Sequence, residues 1–135
     1  MSISIYVVWL FISHLNVLKL NLENYHSYRD DQWTKDAIDK KIQFVLENDW
    51  IGVEGAYTFE ETQIVYEMVE KFKDNVIGNQ VLVVGSETPW VEAIVLAVGA
   101  KNVTTMEYNK IVSTHPQVKS KPIDMLSFVF DIFLL

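Results

Sequence analysis

Apolar residues along this chain change their spacing near residue 80, from a helical repeat to an unbroken run. Upstream, Ile38, Ile42, Val45 and Leu46 share one face of a helix that Thr34 can cap, which predicts a helix over 34–48. Asp49 to Gly55 reads as a loop with two glycines. Thr58-Phe59-Glu60-Glu61 then matches the capping box, in which the threonine oxygen takes an orphan amide and the glutamate reaches back. Ile64, Val65, Met68, Val69 and Phe72 follow at helical spacing, so a second helix is predicted over 59–74, closed by Asn75 to Gly78. Acidic residues in its first turn and Lys71 and Lys73 in its last suit the helix dipole.

Val81-Leu82-Val83-Val84-Gly85 breaks that rhythm and predicts a strand over 81–85, buried on both faces as in parallel sheets. Beyond it, Thr88 can cap a helix over 89–98 with Pro89 at its first position, where a missing N–H costs nothing. Val91, Ile94, Val95 and Val98 give that helix its apolar face, and Gly99 ends it. Asn102 to Tyr108 is the next strand, over 102–108. Strand, tight turn, helix, glycine, strand implies a right-handed parallel crossover.

The fold class expected is therefore α/β, a Rossmann-like three-layer sandwich left incomplete. Three segments are expected: a hydrophobic stretch over 1–20, a linker with a helix over 21–57, and a partial Rossmann-like domain over 58–135, which the resemblance given below makes methyltransferase-type. Asp124 to Leu135 is an apolar tail with no capping or turn residues, which reads as a truncation of a longer fold. About three parallel strands fit in such a chain, and the last would be an open hydrophobic edge prone to self-association.

The N-terminus leaves two readings open. Met1 to Leu18 holds no Lys, Arg, Asp or Glu, and Ile5 to Ile12 is continuously apolar. A buried strand or helix fits a cytoplasmic protein. An uncleaved signal anchor fits the secretory pathway or a membrane, although a positive n-region and a cleavage site are both missing. In the secretory case Asn102-Val103-Thr104 is a formal glycosylation sequon.

Composition narrows the chemistry. Half of the 135 residues are apolar and 21% are charged, the balance of a globular domain. A net charge of −7 and a pI near 4.8 repel phosphate backbones, so nucleic acid is not an expected partner. There is no cysteine, which excludes disulfides, thiolate metal sites and a cysteine nucleophile. The three histidines, His14, His26 and His115, are too scattered for metal-ligand spacing, and no metal is expected. His115-Pro116 follows the second strand, close to where a ligand would lie; a general-base role is weighed there against a structural loop histidine. Trp90 reads as packing, and no Gly-x-Ser-x-Gly elbow exists.

The sharpest functional signal is the pair Gly85 and Glu107, 22 residues apart. In open parallel sheets a ligand sits beyond the carboxyl ends of the strands, beside the glycine turn, where an acidic residue ending the next strand takes ribose hydroxyls. The fingerprint is incomplete, because Gly85-Ser86-Glu87-Thr88-Pro89 has one glycine rather than three. Glu87 repels a pyrophosphate and Pro89 removes an amide donor, so a dinucleotide is disfavoured. A nucleoside without phosphate, such as S-adenosylmethionine, escapes that repulsion. The cofactor-binding set expected is Gly85, Ser86, Glu87, Glu107 and Tyr108; no catalytic residue is assigned. The bland alternative is a crossover with a surface Glu107 and no ligand.

Trp33-Thr34-Lys35-Asp36-Ala37, Gly52-Val53-Glu54-Gly55-Ala56, Thr58-Phe59-Glu60-Glu61-Thr62, Val83 to Ala93 and Val103 to Tyr108 also resemble a nematode family, catalogued as a domain of unknown function (family 268). That family is similar to class I S-adenosylmethionine-dependent methyltransferases, and the resemblance runs from about Trp33 to Pro122. It implies Gly85 and Ser86 against the methionine part of the cofactor and Glu107 on the ribose. It implies no substrate, and the methyl acceptor stays unassigned. The family's chains continue into a second half that this sequence lacks. Two readings follow: a methyltransferase-like protein that is truncated and inactive alone, or a non-catalytic secreted or membrane-tethered remnant whose crossover is only scaffold.

Overall fold

The computed structural model describes residues 32–53, 58–107 and 110–122. The expectations placed on the N-terminal apolar stretch, on Tyr108 and on the tail from Asp124 lie outside them. Among these residues no helix is long and apolar enough to cross a membrane.

A two-residue strand, β1 (Gln32–Trp33), leads into α1 (Lys35–Leu46). Thr34 caps α1 as its sequence predicts: its hydroxyl accepts the Ala37 N–H at 3.2 Å. The helix closes two residues before the predicted Asn48, because Asn48 itself turns left-handed at φ 56° and breaks the ladder. Thr34→Ala is expected to cost about 1 kcal/mol in urea denaturation, with Thr34→Ser near wild type.

After the short α2 (Trp50–Val53), α3 (Phe59–Lys71) starts on Thr58, whose hydroxyl accepts the Glu61 N–H at 3.3 Å. Phe72 interrupts the predicted 59–74 helix with non-helical backbone, and one further turn, α4 (Lys73–Val76), follows.

Strand β2 runs from Gln80 to Val84, one residue ahead of the predicted span. Gly85 leaves it with φ 83°, a conformation that L side chains rarely adopt, while its N–H still donates to the Met106 carbonyl at 2.9 Å. Helix α5 (Trp90–Val98) crosses to β3 (Asn102–Glu107). Pro89 is the residue before the helix rather than its first: ψ 45° keeps it non-helical, and Thr88 supplies no side-chain cap. Its carbonyl instead accepts the Trp90 N–H at 2.9 Å. Gly99 ends α5 at φ 122°, as expected.

The pairings decide the topology. β2, β3 and β5 (Val118–Pro122) form one sheet in the order β2-β3-β5, every pair parallel. β1 pairs in parallel with β4 (Val112–Ser113) in a separate small sheet. The chain is thus mixed α/β, with parallel strands in small sheets.

Helix α5 packs against β2, β3, α1, α3 and α4. It therefore has little face left for water, and Trp90 to Val95 are buried without a break. Val91, Ile94 and Val95 share one core with Val45, Val53, Val65, Val69, Val81, Val83 and Val103, so this core spans residues on both sides of position 58. A second cluster joins Trp33, Ile38, Ile111 and Val118.

The helix stripes are narrower than their periodicity predicts. Leu46 is 61% exposed, although Ile38 and Val45 are buried. On α3, Val65 and Val69 point inward with Thr62, while Ile64 and Met68, and Phe72 just past the helix, stay exposed. A 3.6-residue repeat marks a face; how wide a band is covered depends on the neighbouring element.

Candidate functional site

The glycine turn and Glu107 sit at the same end of adjacent parallel strands. Val84 pairs with Met106, which places Gly85 and Glu107, each one residue further on, beside one another at the carboxyl edge. Side chains alternate along β3, so Glu107 falls on the same face as Thr105 and Val103. That face meets α5, as the bond from Thr105 to Glu92 demonstrates.

Glu92 is a site residue that the sequence reading did not select. It sits in α5 and is fully buried. The Thr105 hydroxyl donates to its Oε1 at 2.7 Å, and Oε2 has no hydrogen-bond partner. Burial pushes this carboxyl from its ordinary value of 4.5 up to about 7. The Thr105 hydroxyl, the Glu92 backbone and the Ser86 hydroxyl offset part of that rise, and the charge of Glu107 adds to it. One signal for it was visible in the sequence. Glu92 is the sole charge in Trp90-Val91-Glu92-Ala93-Ile94-Val95-Leu96-Ala97-Val98, and a helix that apolar is a buried one.

The expected set is otherwise brought partly together. Ser86 is 3% exposed and Glu107 7% exposed, both nearly closed to solvent, so Glu107 is not the surface residue of the bland alternative. Glu107 and Glu87 each have an interaction partner within the chain, and Glu87 is half-buried. The Glu92 backbone supports its own carboxylate, which reduces what the helix start can offer to a ligand. Trp90 packs into the core, as expected.

His115 is not part of this site. Val118 pairs with Val103, and the Gln117 carbonyl accepts the Val103 N–H at 2.7 Å, which puts His115 at the amino end of the sheet. Val103 and Glu107 are four residues apart on β3, so roughly 13 Å of strand separates the two ends. Both ring nitrogens are already engaged. Nδ1 accepts the Gln117 N–H at 3.0 Å, which leaves the proton on Nε2, facing Asp39 Oδ1 at 3.1 Å. Asp39 also pairs with Lys35, and that bond above all holds its carboxyl below the usual range. The imidazole ties α1 to the segment before β5.

Chemically, the carboxyl edge offers a buried acid that changes charge near neutral pH, a second carboxylate and two hydroxyls. Such a group can hold or release a proton, or face a positive charge. Among the described residues, no three acidic or histidine side chains gather as a metal site. What the fold defines is a mixed α/β chain with a parallel β-α-β unit and an acidic carboxyl-end site. Compared with protein-family models, curated proteins and solved structures, the chain matches none.

Proposed function

We propose that the described residues form the opening part of a Rossmann-like, methyltransferase-type domain and act as a half-site for S-adenosylmethionine. The observation that carries this reading is Gly85 at positive φ beside Glu107, at the carboxyl ends of neighbouring parallel strands. A side-chain-free turn lets a nucleoside approach the backbone, and an acidic strand end suits ribose hydroxyls. The sheet order β2-β3-β5, parallel throughout, is compatible with one half of a doubly wound sheet. The resemblance of Val83 to Ala93 to the nematode family points the same way. Glu87 and Glu107 favour a ligand without phosphates. In this reading the half-site positions a cofactor, and catalysis by proximity would need an acceptor site that no residue here is assigned to.

Calorimetric titration of the purified chain with S-adenosylmethionine tests the proposal. Saturable binding is expected, weakened at least tenfold by Glu107→Ala. A chain that is folded by circular dichroism yet takes up no S-adenosylmethionine would reject it. The second reading, a scaffold without cofactor, draws on the near-complete burial of Ser86 and Glu107. It predicts that second outcome.

A further inference from the structure

The buried end of Glu92 is incompletely satisfied. Oε1 has the Thr105 hydroxyl, but Oε2 has neither a hydrogen-bond partner nor access to water. The side chains that α1, α3 and β2 contribute to this core, Val45, Val65, Val69, Val81 and Val83, are apolar, and the buried Thr62 on α3 is polar but uncharged. The charged group acting on Glu92 is another carboxylate, Glu107 on β3.

Three kinds of ligand would meet this pair differently. An anion adds a third negative charge in a poorly solvated place. A neutral ligand leaves Oε2 as it is, and an unpaired buried polar atom carries a cost. A positive charge completes the pair, as a proton does. The proton and the cation therefore compete for the same field.

We propose that Glu92, held by the Thr105 hydroxyl, and Glu107 make the glycine turn a site for a ligand bearing a positive charge, which enters as Glu92 gives up a proton to water. The inference rests on the half-site reading and adds the charge that the site selects. Glu92 is a positioning residue here. It is closed to solvent and acts through its charge, behind the hydroxyl of Ser86.

Charge balances: one unit of net positive charge enters and one proton leaves the Glu92 carboxyl, reaching water as the ligand enters. A carboxyl titrating at about 7 is about one-tenth ionised at pH 6 and about three-quarters ionised at pH 7.5. A ligand that needs the ionised form should bind about eightfold more tightly at the higher pH.

The test is calorimetry on the full chain at both pH values, in two buffers of different ionisation enthalpy, with three probes. S-adenosylmethionine carries a sulfonium, an ammonium and a carboxylate (net +1), S-adenosylhomocysteine the ammonium and carboxylate (net zero), and 5′-methylthioadenosine none of the three. Tightening by about eightfold, with proton release, is expected for the first probe and not for the third. The second probe tells which cation is recognised, and either answer supports the proposal. In Glu92→Gln the pH dependence and the proton release should both vanish. Proton release is measured on the wild type, so a poorly folding variant leaves the test intact. Equal binding of all three probes with no pH dependence would overturn the charge selection and keep the half-site. Failure of all three to bind a folded chain would remove the half-site, and this inference with it.

Discussion

Glu92→Gln flattens the dependence of stability on pH between about 4.5 and 7. Glu92 titrates near 4.5 when unfolded and at about 7 when folded, so the folded chain binds more protons across that window. Stability attributable to this group is therefore full below pH 4.5 and declines as pH rises through 7. The displacement amounts to about 3 kcal/mol, reached above pH 7. For a chain of this length that is a fall in Tm of roughly 10 °C. Glutamine keeps the shape, can accept from Thr105 and cannot ionise. The variant should match wild type near pH 4.5 and exceed its Tm near pH 8. Thermal unfolding by circular dichroism at stepped pH reads this directly. Parallel Tm curves for the two proteins would mean that the Glu92 carboxyl is not the titrating group.

Ile94→Ala should lower stability by about 2–5 kcal/mol, measured as a shift of the urea midpoint at unchanged slope. Ile94 has no exposed surface and lies in the helix that β2, β3, α1 and α3 all pack against. Shortening it removes three carbons from a place where neighbours on several sides would have to move to close the gap. Leu46→Ala is the matched control. Leu46 carries the same apolar label but is 61% exposed, so its loss should stay within about 0.5 kcal/mol. Equal losses at both positions would contradict the burial described for the two helices.

Much of the local structure is legible without coordinates. The Thr34 and Thr58 caps both form, with Ala37 and Glu61 as their N–H donors. Gly85 and Gly99 both take positive φ, at the end of a strand and the end of a helix. These features depend on residues three or four positions away, so the sequence contains the whole interaction. The apolar run at Val81 to Val84 marks a strand for the same reason. Pro89 shows the limit: its ring suits a helix start, yet the turn from Gly85 leaves it one position outside.

The site was half legible. Gly85 and Glu107 stood out because their spacing matches a known geometry for nucleoside binding. Glu92 did not, because a single acid in a helix reads as exposed until its neighbours are known. His115 has the structural role that was weighed against a general base, but its place in the fold was not legible. It follows β3 in sequence, yet a return segment carries it back to the amino end of the sheet before β5 begins.

By itself the sequence determined the caps, the turns, the glycine positions, the alternation of strand and helix, and the acidic balance of the chain. Each follows from backbone geometry or from composition. The tertiary structure decided the rest: the strand order β2-β3-β5, the pairing of β1 with β4, the exposure of Leu46 and Met68, and the burial of Glu92. These depend on contacts between residues distant in sequence. A carboxyl is moved to titrate near neutral pH when other elements exclude water around it, and here α5 and β3 do so together.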